Sequence, residues 1–272
     1  MNGAHAAAAG AHVRPGGAPS GDIKSADARP ALPLPVTTCL TPPQAITLDL
    51  DDTLWAVGPT LVGAEQVLGD WLAAYAPATA AKLDPDVRAV IRRELLAEHP
   101  GRAYDMSWLR RESLRRAMTR SGDDPRLADA AFEVFLEARQ RVRFFDDVLP
   151  VLGRWAARLR LVAVTNGNAD VERVGLGRFF HASVNAHVFG SAKPDPRLFH
   201  EACRLAGVEP GSTLHIGDDP QLDVVAARRA GLQAAWLRRP QFAHRHPADA
   251  CGGDAPAPFE DLHALDAALI GR

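Results

Sequence analysis

Near the start of the chain, Asp49-Leu50-Asp51-Asp52-Thr53 concentrates carboxylates where an apolar run, Ala45-Ile46-Thr47-Leu48, ends. Residues two apart on a strand point to the same side, so Asp49 and Asp51 are expected to emerge together at the strand's C-terminal end. Neighbouring carboxylates repel. They persist together only if a cation, a lysine or a shared proton relieves them, which is how a nucleophile and acid pair is commonly prepared. An isolated acidic trio is as readily a surface turn capping a helix; the apolar strand in front of this one favours chemistry.

Three further clusters follow apolar runs or helix starts. Thr165-Asn166-Gly167 closes the run Leu161-Val162-Ala163-Val164, where a hydroxyl and backbone N–H groups suit a phosphate oxygen, although Thr-Asn-Gly is also an ordinary turn. Lys193-Pro194-Asp195-Pro196 sets a cation at a fixed point ahead of a helix, because proline restricts the backbone before it. Without that context it reads as a solvated loop lysine. Gly217-Asp218-Asp219, with Asp223 beyond, again puts acids after an apolar strand. Three acids so close call for a hard cation, and Mg²⁺ prefers such oxygen ligands. N-capping accounts for Asp219 without a metal, and for Asp218 less well.

The elements that must position these residues alternate. Strand-like runs recur at 161–165, 213–217 and 233–237, and the helical stretches Pro196 to Ala206 and Leu222 to Ala230 each close on a glycine, Gly207 and Gly231. Alternation of this kind implies an α/β fold, a Rossmann-like doubly wound parallel sheet with helices on both faces. Ligands in such sheets sit beyond the strand C-termini, where all four clusters fall. Between Thr60 and Phe145 the rhythm breaks into helical periodicity alone, over Leu61 to Tyr75, Asp86 to Glu98, Trp108 to Ser121 and Leu127 to Arg141. That stretch reads as a helical domain inserted after the first strand. Arg238 to Pro258 reads as loop, and an amphipathic segment carrying Phe259, Leu262, Leu265 and Leu269 is expected to pack back on the core.

Composition narrows the classes. With 272 residues and 47% hydrophobic content the chain can bury a sizeable core. A formal net charge of -2 gives no global attraction to nucleic acid or anionic membrane, and no apolar run nears the roughly 20 residues a membrane span needs. Cys39, Cys203 and Cys251 are few, odd in number and widely spaced, which disfavours a disulfide framework and points to a reducing cytoplasm. Residues 1–40 are half Ala, Gly and Pro and hold no period, so they read as a disordered extension. Their apolar run is too short for a secretory signal, and Asp22 and Asp27 argue against a transit peptide.

In order and spacing, the four clusters resemble the haloacid dehalogenase-like hydrolase superfamily: a hydrophobic strand plus DxDxT, a strand-terminal Thr or Ser, a Lys, then a strand plus GDxxxxD. The resemblance covers Thr41 to about Arg272, with residues 41–59 and 146–272 as the catalytic core and 60–145 as a helical cap of the family's first class. It implies that Asp49 is a nucleophile forming an aspartyl-phosphate and that Asp51 is the acid and base. Thr165, Asn166 and Gly167 would bind phosphoryl oxygens, and Lys193 would neutralise the transferring group. Mg²⁺ would be held by the Asp49 carboxylate, the Asp51 main-chain carbonyl and Asp218, with Thr53, Asp219 and Asp223 supporting. Asp52 stands where many members have Gly.

A narrower likeness is carried by Thr165-Asn166-Gly167-Asn168, Gly175-Leu176-Gly177, the strand Leu214 to Asp219, Gly231 to Arg238 and the cap segment Trp108 to Leu114. These look like bacterial phosphatases of riboflavin metabolism that act on FMN and 5-amino-6-(5-phospho-D-ribitylamino)uracil. The expected partner is therefore a small phosphorylated metabolite, not nucleic acid or membrane, and the expected state a monomer or homodimer. Trp55 and Trp108 are candidates to stack on a flat ring, and Arg110 or Arg111 to meet its polar atoms, although aromatic residues on helices are more often core; His215 reads as a packed core residue. The alternatives are a phosphomutase sharing the motifs, a metal-independent dehalogenase, which has no use for Asp51 or Asp218, and a non-catalytic phospho-accepting or interaction domain.

Overall fold

Apolar β-prone runs separated by capped helices build a five-stranded sheet in this chain, all parallel, in the order β3-β2-β1-β4-β5. The computed structural model describes residues 40–247, 250–251 and 257–270, so the expected extension over residues 1–40 lies, apart from Leu40, outside the described residues. The strands are β1 (Ala45–Leu48), β2 (Arg160–Thr165), β3 (Ala182–Asn185), β4 (Thr213–Gly217) and β5 (Gln233–Trp236). β1 is central: Ala45 pairs with Arg160 of β2 on one side and Thr213 of β4 on the other. The strand C-termini therefore bring Asp49, Thr165 and Asp218 to one edge of the sheet.

Side-chain alternation sorts the two faces. Ile46, Leu48, Leu161, Ala163, Leu214 and Ile216 pack with α6 (Val148–Ala156) and α10 (Leu262–Ile270). Ala45, Val162, Val164 and Val184 meet Leu198, Ala202 and Ala206 of α8 (Pro196–Ala206). α9 (Ala226–Arg229), entered through a π-helical turn at Pro220–Val225, packs beside α8 against β5. α8 starts and stops where its sequence says: Asp195 accepts from the Arg197 N–H, Pro196 sits at the first turn, and Gly207 closes it in the left-handed region at φ 67°.

Between β1 and β2 run α1 (Val57–Tyr75), α2 (Pro77–Lys82), α3 (Pro85–Glu98), α4 (Met106–Ser121) and α5 (Ala128–Arg139). Their apolar stripes make a second core, Leu68 and Leu72 of α1 against Leu114 and Met118 of α4 and Phe132 and Phe135 of α5. The segments entering and leaving this helical layer run side by side. Trp55 bridges Phe144 in antiparallel fashion, the Phe145 N–H donates to the Leu54 carbonyl at 3.1 Å, and the Trp55 and Phe144 rings meet edge-on at 6.0 Å. Helical and sheet layers belong to one compact unit. The short strand β3 and helix α7 (Ala186–Phe189) are additions to the sequence expectation. Among the described residues no helix is long and apolar enough to cross a membrane.

Candidate active site

β1 ends at Leu48, and the next residues turn sharply, Asp52 taking φ 58°. That left-handed geometry is costly for most side chains and suits glycine, which rationalises the Gly common at this position. Asp52 offsets the cost: its Oδ1 accepts the Val57 N–H at 2.9 Å at the start of α1, and its Oδ2 pairs with Arg245 at 2.5 Å. Past the turn Asp51 still lies near enough for its charge to raise Asp49, and each acid finds a cation of its own, Lys193 for Asp49 and Arg139 for Asp51.

Asp49 accepts from the Lys193 ammonium at 2.6 Å, and the same ammonium reaches Asp223 Oδ1 at 2.6 Å. Lys193 is only 4% exposed. Burial would pull its pKa down, but the Asp223 and Asp49 carboxylates outweigh that and hold it above the ordinary lysine value. Asp223 is the ionised partner: burial opposes its charge, yet Lys193 and His215 hold it well below the usual carboxylate range. His215, fully buried on β4, bridges Thr47 Oγ1 at 2.8 Å and Asp223 Oδ1 at 3.1 Å, with Phe199 edge-on. It is the packed histidine the sequence suggests. Burial first, then the surrounding carboxylates, push Asp49 up to about 7 despite its lysine.

Asp218 lies beside this pair. Thr53 Oγ1 sits between the two acids, 3.2 Å from Asp49 Oδ2 and 3.3 Å from Asp218 Oδ1. Burial, with the neighbouring Asp49, Asp223 and Asp52 carboxylates, pushes Asp218 up to about 9. One carboxylate oxygen each from Asp49, Asp218 and Asp223 lies within 4.8 Å of the others. Asp223 is the most fully engaged, Oδ1 with Lys193 and His215 and Oδ2 with the Asp219 N–H at 3.0 Å, whereas Asp49 Oδ2 and Asp218 Oδ1 share the single Thr53 hydroxyl proton, so Asp49 and Asp218 are the acids with capacity for an ion. An all-oxygen, charge-rich donor set short of positive charge fits a hard divalent cation. Gly217 makes room for the Asp223 side chain, since a Cβ there would stand 2.2 Å from Asp223 Cγ. Asp219 caps the next turn, its Oδ1 accepting the Gln221 and Leu222 N–H groups at 2.8 Å each.

Asp51 is held by two donors. Trp55 Nε1 donates to Oδ1 at 2.9 Å and Arg139 Nη2 to Oδ2 at 2.5 Å. Gly167 faces this carboxylate: a Cβ there would be 2.6 Å from Asp51 Oδ2. Thr165 is buried at the end of β2, its Oγ1 accepting the Gly167 N–H at 3.0 Å. The Asn166 side chain is spent on Lys193, accepting its N–H at 2.7 Å and donating to its carbonyl at 3.0 Å. It aims the lysine, leaving only its backbone for a ligand.

The aromatic and arginine candidates take the packing role that is commoner for such side chains. Trp55 is fully buried in the core and Trp108 packs against His99 and Arg102, while Arg110 stacks on Phe135 beside Glu65, and Arg111 on Phe132 beside Asp129. All four are occupied within the fold instead of presenting faces to a ligand. Arg139, Gln140 and Asn168 also reach the site without belonging to any of the four motif clusters, although Arg139 carries a signal. It lies four residues after Phe135 on the buried stripe of α5, where a charge needs a partner.

Comparison with known proteins agrees with this arrangement. The haloacid dehalogenase-like hydrolase family model matches residues 43–231. The 5-amino-6-(5-phospho-D-ribitylamino)uracil phosphatase YigB of Escherichia coli (strain K12) is 32% identical over 198 residues, 71% of this chain and 83% of that protein. The glyceraldehyde 3-phosphate phosphatase of Methanopyrus kandleri is 29% identical over 75% of this chain and 88% of its own length. Among solved structures, the 2-haloacid dehalogenase of Pseudomonas syringae pv. Tomato DC3000 superposes with a TM-score of 0.74 at 39% identity, covering 83% of this chain and 97% of that one.

Proposed function

The chain belongs to the haloacid dehalogenase-like hydrolase family, and from that premise we propose that it is a Mg²⁺-dependent phosphomonoester hydrolase acting on a small phosphorylated metabolite. Residues 60–145 are its cap, and 41–59 with 146–272 its catalytic core. The observation that carries the proposal is the acid cluster itself, with one carboxylate oxygen each of Asp49, Asp218 and Asp223 within 4.8 Å of the others, where burial and the neighbouring carboxylates push Asp218 up to about 9. A dianionic phosphate cannot approach such a cluster unless positive charge is added.

Asp49 attacks phosphorus. A bond forms from its carboxylate oxygen as the P–O bond to the leaving group breaks, the electron pair stays on the leaving oxygen, and Asp51 supplies the proton that oxygen needs. Asp51 then takes a proton from the water that splits the aspartyl-phosphate, returning Asp49 and releasing inorganic phosphate. Lys193 lies 2.6 Å from the Asp49 carboxylate and offsets charge on the transferring group, while Thr165 and the backbone at Asn166 and Gly167 orient its oxygens. Mg²⁺, held by Asp49, Asp218 and the Asp51 carbonyl, would supply electrostatic relief between two anions.

The E. coli relative, a 5-amino-6-(5-phospho-D-ribitylamino)uracil phosphatase by name, supports that ester as substrate, and the likeness in the sequence motifs adds FMN as the second candidate. Free thiols at Cys203 and Cys251 support a cytoplasmic setting. The P. syringae structure bears a dehalogenase's name, but attack on carbon uses neither a metal nor an acid two residues after the nucleophile, and this chain holds Asp51 and Asp218 at the site. The deciding experiment offers the purified protein a phosphate-ester panel and a 2-haloacid, with and without chelator. Phosphate release that needs Mg²⁺ and disappears in Asp49→Asn is expected. Halide release in chelator, or full phosphatase activity in Asp49→Asn, overturns the proposal.

A further inference from the structure

Arg139 ends α5 and is 1% exposed, yet its guanidinium leaves the helical layer and reaches the strand ends. Nη2 donates to Asp51 Oδ2 at 2.5 Å and Nε to Asn168 Oδ1 at 2.9 Å. Nη1 is buried with no hydrogen-bond partner in the structure. Burying a guanidinium with an unused donor is costly, and a fold keeps one where its planar fork must serve two acceptors at once. The adjacent Gln140 reinforces the link, donating to the Asn168 carbonyl at 3.1 Å and accepting the Asp170 N–H at 2.9 Å. From the other side Asn168 contacts Ser107 Oγ of α4 at 3.4 Å. Asp51 is thus gripped by Trp55 from the segment entering the helical layer and by Arg139 from the segment leaving it.

We infer that Arg139 is a positioning residue for Asp51, aiming the carboxylate that protonates the leaving oxygen and tying its orientation to the seating of α5 against the 166–170 loop. The inference rests on the assignment of Asp51 as that acid. A guanidinium with Nε on the loop and Nη2 on the acid fixes the distance between them; lysine can contact one or the other. Trp55 restrains the second oxygen, so the carboxylate keeps one rotation. Loss of either donor frees it to turn.

Leaving groups distinguish aim from mere anchoring. An alcohol departs only as it takes the proton, whereas p-nitrophenolate departs without one. kcat/KM reports steps through departure, so hydrolysis of the common aspartyl-phosphate does not enter it. In Arg139→Lys and Trp55→Phe, kcat/KM for the alkyl phosphate the wild type cleaves fastest should fall on the order of 100-fold, and for p-nitrophenyl phosphate less than about tenfold. Trp55→Phe keeps the ring in the core and serves if Arg139→Lys fails to fold. Equal losses on both substrates in either folded variant, or no loss, overturn the inference while leaving the phosphatase assignment standing. A wild type inactive on every phosphate ester brings down that assignment and the inference with it.

Discussion

Gly167 shows how little slack the site has. Any side chain there would enter the 2.6 Å gap to Asp51 Oδ2 and press on Arg139 Nη2 at 3.3 Å, so the Thr-Asn-Gly sequence is needed for close approach as well as for its turn. Gly167→Ala is expected to leave the fold intact and lower kcat on the order of 100-fold, because a displacement of about 1 Å at a reacting group costs that much; steady-state kinetics beside a thermal melt checks it. The acids predict a pH effect of definite sign. Without a cation, Asp49 stands near 7 and Asp218 near 9, while unfolded carboxylates ionise near about 4. The folded state therefore holds extra protons between these values, and stability falls as pH rises through that window. Melts in chelator should show Tm decreasing from about pH 6 to about pH 9, with the slope reduced by Mg²⁺ and in Asp218→Asn. A metal-free Tm that is flat or rising over that range contradicts this.

The elements show what local pattern reveals and what it conceals. β1, β2 and β4 are wholly or almost wholly buried runs and are plain in the sequence, as is α8 between its Pro and Gly. β3 hides because it is a four-residue edge strand, Ala-Ser-Val-Asn, in which Val184 alone is buried; pairing with β2 makes it a strand, not its own period. The acids and the lysine are legible because each follows a strand or precedes a helix. For Arg139 the α5 stripe signals burial but not the partner, since Asp51 lies 88 residues away. Arg239 hides likewise: buried, it donates to the Thr53 carbonyl at 2.8 Å and pairs with Asp147 at 2.6 Å, whose Oδ2 also accepts the Leu262 N–H at the start of α10. Arg239→Met strands a buried carboxylate and should cost about 3–5 kcal/mol, read by denaturant unfolding. A loss below about 1 kcal/mol would mean that Asp147 is relieved by water.

For the molecule as a whole, the helical layer has its own apolar core, built on Leu68, Leu72, Phe132 and Phe135, separate from the one under the sheet. Arg139 and the Trp55–Phe144 bridge join them where the chain crosses over. The order of the strands has a further consequence, in time instead of space. β1 leads into the proposed nucleophile Asp49 and sits at the centre of the sheet, yet both of its neighbours come later in the chain, after every helix of the inserted layer. On a ribosome, β1 emerges first and waits without a strand to pair with while α1 to α5 are made. Such high contact order makes sheet closure slow. The β1–β4 pairing, which must wait until residue 217 is made, is the one that brings Asp218 to Asp49, so no nascent chain ending before Asp223 carries the complete acid cluster.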